Sequence, residues 1–132
     1  MTPEQFFSKD AFATGAGIEI LEARAGYART RLVVGKEHLN AGERTQGGAL
    51  FTLSDFAIAI ASNMHGTLAV STQSNINIYR ASVPDDVLTA EARELYLHPK
   101  LSSYTCDITN QQGELIAQMT AQLYRKDIKL PL

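Results

Sequence analysis

The stretch Asn40–Asn63, NAGERTQGGALFTLSDFAIAIASN, decides how the rest of the chain must fold. A polar loop carrying Gly42 and then Gly47-Gly48 runs directly into about fifteen residues of nearly unbroken apolar sequence. Phe51, Leu53, Phe56, Ile58 and Ile60 cover several faces at helical spacing, and a helix that is apolar almost all round is a buried one. One acid, Asp55, interrupts it. A carboxylate taken out of water is disfavoured in its charged form, so its pKa rises or it finds partners. Thr52, Ala59 and Ser62 lie near the same stripe as Asp55, which gives the helix one small, polar side wide enough to line a cleft. The plain alternative is an ordinary acid on a partly exposed stripe, because acids are seldom fully buried.

Working outward from this helix, the N-terminal side supplies one more helix and a hairpin. Residues 3–13 read as a short helix, with Thr2 as N-cap, Pro3 at the first helical position, and Phe6, Phe7 and Phe12 as its apolar side. After Gly15 and Gly17 a strand begins at Ile18, Ala25-Gly26 turns the chain, and Tyr27 to Val34 alternates as a second strand. On the C-terminal side Gly66 can adopt the left-handed conformation that stops helices. Four more strands are expected over 68–79, 87–98, 101–109 and 115–124. Turn chemistry separates them at Pro84-Asp85-Asp86, Pro99-Lys100 and Asn110-Gln111-Gln112-Gly113. In the 87–98 strand Leu95 and Leu97 alternate against Glu94 and Tyr96, and the tail after Tyr124 shows no pattern and is expected to fray.

The order is therefore a helix, two strands, one buried helix and four strands. Six alternating antiparallel strands have one apolar face and only one long helix to cover it. The economical α+β solution is a sheet curled around that helix, in a single domain over 1–132 with 1–17 as lead-in and 126–132 as tail. The outer sheet face and an edge strand would remain uncovered, which favours dimerisation.

Composition limits the partners. An apolar fraction of 45% and a charged fraction of 20% describe a soluble globular protein, and 12 basic against 14 acidic residues leave no field to recruit nucleic acid or an acidic membrane. The start, MTPEQFFSKDAF, lacks the apolar core of a signal peptide, and no apolar run approaches the ~18 residues of a membrane span. The lone Cys106 cannot form an internal disulfide, so a cytoplasmic thiol is the simplest reading; the alternation Tyr104-Cys106-Ile108 places it in the core. His38, His65 and His98 are scattered without neighbouring ligand pairs, so no metal site is expected and each is read as solvated. Ser54 is a poor nucleophile candidate, because its side chain points away from that of Asp55 and no Gly-x-Ser-x-Gly elbow surrounds it.

The ordered set Asn40, Gln46-Gly47-Gly48 and Asp55 resembles the hotdog-fold acyl-CoA thioesterases, in particular the phenylacetate-pathway (PaaI-type) branch. That group carries an Asn, a short loop, His-Gly-Gly, and an apolar helix with an acid nine residues after the His. The likeness continues through Ala61-Ser62-Asn63, Ile76-Asn77-Ile78-Tyr79-Arg80, Asp86-Val87-Leu88-Thr89-Ala90 and Leu123-Tyr124-Arg125, over roughly residues 18–125. The resemblance implies that Asp55 activates water or attacks the thioester carbonyl itself. It implies that the Gly47 N–H polarises that carbonyl, that Asn40 helps to hold substrate or water, and that Thr72 stands near the acid. It further implies coenzyme A as part of the substrate with no separate cofactor, phosphate contacts at Arg80, Lys100 and Ser102, and an obligatory homodimer, or a dimer of dimers, with each site shared between subunits. Phe51, Ile58 and Met64 are candidates to line the acyl pocket, although apolar helix residues are core by default.

The chemistry has its own logic. Thioester hydrolysis needs an acid or base, a water, and donors aimed at an oxygen that becomes negative; a helix N-terminus supplies unpaired N–H groups and partial positive charge. One departure from the family is Gln46, which stands where the family has His. An amide can donate a hydrogen bond but cannot shuttle a proton at neutral pH. This leaves a non-catalytic acyl-CoA-binding protein as the alternative function. A hotdog dehydratase is a further one, but that chemistry wants a His paired with an acid, and the central helix has none.

Overall fold

A computed structural model describes residues 1–132. Its elements are α1 (Pro3–Phe7), α2 (Ala11–Gly15), β1 (Glu19–Arg24), β2 (Tyr27–Val33), a 3-10 turn (Lys36–His38), α3 (Gly47–Asn63), β3 (Thr67–Ile78), β4 (Val87–Leu97), β5 (Leu101–Thr109) and β6 (Leu115–Lys129). The six strands form one antiparallel sheet in the order β1-β2-β4-β5-β6-β3. This is the expected α+β arrangement, a sheet wrapped around one long helix.

The sheet can close on the helix because its inner face is built from small side chains. Ala28, Ala90, Ala92, Cys106, Ala117 and Ala121 alternate with Leu32, Leu88, Tyr104, Ile108, Met119 and Leu123, and all are buried. Against them α3 buries Leu50, Leu53, Phe56, Ala57, Ile58, Ile60 and Ala61. One polar tie crosses this core: the Thr30 hydroxyl donates to the Leu53 carbonyl at 3.1 Å, which satisfies a hydroxyl that would otherwise be buried without a partner. At the far end of α3 the buried Asn63 side chain donates to the Ala59 and Ala69 carbonyls at 2.8 and 3.2 Å and accepts from the Ala69 N–H at 3.0 Å. That clamp, with Gly66 at φ 87°, turns the chain from α3 into β3.

The structure departs from the sequence expectations in several places. The N-terminal helix is two helices, because Asp10 caps a second one by accepting from the Ala13 N–H. The expected tail is strand: β6 runs on to Lys129, pairs with β3 at Thr67, and the Leu130 N–H donates to the Gly66 carbonyl at 2.8 Å. This end shows no hydrophobic alternation because it lies beyond α3, where neither face of the strand meets a core. Leu95, Tyr96 and Leu97 are also all exposed, past a bulge that breaks the β4–β5 register between Glu94 and Tyr96. Two of the histidines are not solvated. His38 is buried, with Nδ1 accepting from the Gly35 N–H and Nε2 at 2.6 Å from the Ala16 carbonyl; His65 Nε2 lies 2.6 Å from Glu94, which also accepts from the Tyr104 hydroxyl.

Candidate active site

The sheet leaves one stripe of α3 uncovered, formed by Gly48, Phe51, Thr52, Asp55 and Ala59. Asp55 is half-buried there and has no hydrogen-bond or ion-pair partner within the chain. Burial pushes its carboxyl above the usual carboxylate range, and the negative charge of Asp10 adds to the rise. An acid that is desolvated, unpaired and on the uncovered stripe of the helix has the properties of a proton acceptor waiting for a ligand. Ser54, its neighbour, is buried on the sheet side of the helix, as its position in the sequence requires.

The start of the helix provides the complementary donors. Gln46 is the N-cap, and its carboxamide oxygen accepts from the Gly48 N–H, so its NH2 group is left without a partner in the chain. The Gly47 N–H, at the first helical position, has no carbonyl within the chain to bond. Asn40 organises the loop before it: its side-chain oxygen accepts from the Gly42 and Arg44 N–H groups at 2.9 and 3.1 Å, and its backbone N–H donates to the Arg44 carbonyl at 2.7 Å. Asn40, Arg44, Gly47, Tyr79 and Arg80 line one groove of about 400 Å³. On the other flank of the helix start a second cavity, of about 450 Å³, lies between α2, the 3-10 turn and the first turns of α3.

These groups do not form one cluster in a single chain. Gly47 and Asp55 are eight residues apart on the same helix, a rise of about 12 Å and a rotation of roughly 80° about the axis. Thr72 is exposed on β3, at a bulge where the register with β6 shifts between Ser71 and Gln73, and its hydroxyl donates to the Gln122 carbonyl at 3.2 Å rather than to Asp55. Arg80 stands near Gly47 and pairs with Glu114 at 3.2 Å. Lys100 lies at the opposite end of the β3–β6 ribbon, in a cavity of about 370 Å³ with Arg125, Lys126 and Asp127. Ser102, expected at the surface with Lys100, is instead buried on the inner face beside Tyr104, because the register from Leu101 to Ile108 turns the even-numbered residues inward.

Sequence reasoning also missed contributors. Asp10, Phe12 and Ala16 approach α3 from α2, and the only local signal was that Asp10 can cap the helix it begins. Arg125 and Lys126 were missed because they fall in the segment read as a fraying tail. Of the apolar candidates, Phe51 lines the second cavity, whereas Ile58 is wholly in the core.

Comparison with known proteins agrees with this architecture. The family model described as Thioesterase superfamily matches residues 45–117. A protein of Archaeoglobus fulgidus that carries a provisional esterase name is 40% identical over 85% of this chain and 73% of its own length. The acyl-coenzyme A thioesterase PaaI of Escherichia coli is 32% identical over 90% of this chain and 85% of its own. The solved structure of the E. coli PaaI protein superposes with a TM-score of 0.92 over 96% of this chain and 92% of that one, at 30% identity. A hypothetical thioesterase from Streptococcus pneumoniae, solved with coenzyme A, gives a TM-score of 0.88 at 28% identity over 96% and 98% of the two chains. The chain belongs to the thioesterase superfamily, in its PaaI-type hotdog branch, and is a thioester hydrolase.

Proposed function

We propose that this protein hydrolyses acyl-CoA thioesters to a free acid and coenzyme A, at sites each completed by two copies of the chain. The observation that carries the reading is the half-buried, unpartnered Asp55 on the open stripe of α3, on the same helix as an N-terminus whose Gly47 N–H is free. A relative named for acyl-CoA hydrolysis, and a structural neighbour solved with coenzyme A, support the choice of thioester.

In this reading the Gly47 N–H donates to the thioester carbonyl oxygen and holds the negative charge that develops on it; one such donor contributes about 3 kcal/mol. The Gln46 NH2 and the Asn40 side chain help to orient substrate and water. Asp55 either takes a proton from the attacking water, or attacks the carbonyl carbon itself to form a mixed anhydride that water then cleaves to the free acid; both routes expel coenzyme A as its thiolate, which takes up the proton released. Because Gly47 and Asp55 of one chain are about 12 Å apart, one carbonyl meets the glycine of one subunit and the acid of the other.

The edge strand supports that arrangement. β3 runs for twelve residues along an unpaired edge of the sheet, with Val70 and Ile78 among its exposed apolar side chains, and such an edge is normally covered. At about 3.3 Å per residue β3 is some 40 Å long, so Arg80 and Lys100 of one chain sit at opposite ends. Antiparallel pairing of β3 with its copy would bring the Lys100 end of one subunit to the Arg80 end of the other, where both could meet the phosphates of one coenzyme A. Exposed Leu101 and Tyr124 continue a cross-strand row from Val70, and Leu95 and Tyr96 are exposed on β4, which fits a further pairing into a dimer of dimers.

The test is release of free thiol from a panel of acetyl-, hexanoyl-, benzoyl- and palmitoyl-CoA, with sedimentation of the same sample. Turnover of at least one thioester by an oligomer is expected. A stable monomer at micromolar concentration, or no turnover across the panel, refutes the reading.

A further inference from the structure

Helix α2 packs across α3 over the residue that the reaction needs. On one side of the crossing, Phe12 and Ala16 share a cavity with Phe51 and Thr52. On the other side, Asp10 shares a further cavity, of about 320 Å³, with Phe56 and Ala59. Asp55 lies between these two pairs in the sequence of α3, on the same open stripe as Thr52 and Ala59. The start of α2 therefore stands beside Asp55, and the residue at that start is itself an acid. Buried neighbours on both sides, Phe7 and Ala13, fix the backbone of Asp10 against the core. Its side chain is fixed too, because one carboxylate oxygen accepts from the Ala13 N–H at 3.0 Å and so caps the helix.

No cation separates the two acids. Neither takes part in an ion pair within the chain, and the ammonium of Lys9 lies 5.5 Å over the Phe6 ring. The other ionisable groups around α3 are engaged or face elsewhere. α3 itself carries no second one and β3 carries none. Cys106 is on the opposite side of α3, beside Ser54, and Tyr104 is bonded to Glu94, which also meets His65 beyond the end of the helix. The arginines of β2 pair with acids of β1, and Glu91 of β4 pairs with Arg93. Lys100, Arg125 and Lys126 gather in their own cavity at the end of the β3–β6 ribbon. Glu37 and His38 border the cavity on the Phe12 side, where both His38 ring nitrogens are taken. Asp10 is left as the one charge that bears on Asp55.

We infer that Asp10 is a positioning residue for this reaction: its negative charge, held beside Asp55 by the cap of α2, drives the charge of Asp55 into the chemical step and sets the acid limit of turnover. The inference rests on the thioester-hydrolase reading and adds a second acid to its site. As base or as nucleophile, Asp55 starts negative and loses that charge in the transition state, to a proton of water or to a bond with the carbonyl carbon. A negative neighbour therefore raises the resting state more than the transition state, and only such a difference speeds the step. The same repulsion keeps Asp55 protonated to higher pH, so the gain in rate comes with a loss of activity in acid.

Two substitutions separate the charge from the cap. Asp10→Asn removes the charge and keeps an oxygen for the Ala13 N–H, since Asn caps helices as well as Asp does. Asp10→Glu keeps the charge and weakens the cap. In acyl-CoA hydrolysis, Asp10→Asn should lower the plateau kcat about threefold, leave KM level or lower, and move the acid limb of kcat/KM to lower pH. Asp10→Glu should leave that limb at its wild-type place. A limb that stays put in Asp10→Asn, or that moves alike in both variants, overturns the inference. A second measurement needs no turnover: carbon-13 NMR titration of the Asp55 carboxyl carbon, assigned by its disappearance in Asp55→Asn. Its midpoint should fall in Asp10→Asn, and an unchanged midpoint refutes the role given to Asp10. The two arms keep the failures apart. Absence of turnover on every thioester counts against the hydrolase reading, while the carbon titration judges Asp10 alone.

Discussion

A shared active site can be tested by removing one partner from each of two pools of the protein. Gly47→Pro deletes the proposed oxyanion donor and nothing else that the helix needs. The residue sits at the first helical position, where proline is favoured and its missing N–H breaks no helical bond. Gln46 before it is already extended, at φ −66° and ψ 138°, as a residue preceding proline must be. A Cβ at position 47 would lie 3.5 Å from the Ile78 methyl, an ordinary contact. The variant should therefore fold and lose about 10²- to 10³-fold in kcat. Asp55→Asn removes the other half. With the two variants refolded together at equal amounts, half the dimers are mixed, and a two-fold interface gives each mixed dimer one intact site and one doubly defective site; about a quarter of wild-type activity should return. The assay is thiol release from the best acyl-CoA, with mixed dimers verified by native mass spectrometry of differently tagged chains. Mixed dimers that recover nothing would show that Gly47 and Asp55 do not meet across the interface, despite their separation along α3.

Alone, Asp55→Asn should cost about 10²- to 10⁴-fold in turnover and yet raise thermal stability at neutral pH. The sign follows from a folded-state pKa above the unfolded one: the acid favours folding while protonated, and that advantage is lost as pH rises through the folded value, so at pH 7 the charge is a burden that the amide removes. A lower melting temperature in a folded Asp55→Asn protein would contradict the assigned burial. Gln46→His keeps an acceptor for the Gly48 N–H and restores the residue usual in the branch, so kcat should stay level or rise; a collapse with the fold intact would give Gln46 a role of its own. Asn63→Ala should destabilise by roughly 2–4 kcal/mol in urea denaturation, because it strands the buried N–H and carbonyl of Ala69. Cys106, whose thiol burial pushes up to about 12, should resist a thiol reagent at pH 8 until denaturant is added; fast labelling of the native protein would place it outside the core.

The fold could be read from the chain because its main device is local. An apolar helix framed by Gly47-Gly48 and Gly66, with alternating strands on both sides, has few ways to bury its faces, and the observed bounds of α3 follow those markers. Asp55 stood out for the same reason, since a lone acid in such a helix contrasts with everything around it. What could not be read depends on where strands end relative to the helix. Leu95 and Leu97 alternate as core residues do but are exposed past the bulge in β4; the segment to Lys129 does not alternate, yet it is strand because Thr67 and Gly66 supply partners for its backbone. Ser102 shows the point for a single side chain: a strand-end serine can face either way, and only the pairing of Ser102 with Leu97 and Leu123 turned it inward. Nor could spacing reveal that α2 delivers Asp10 and Phe12 to the flank of α3, for a contact between residues some forty positions apart is set by the packing of whole elements and not by any local pattern.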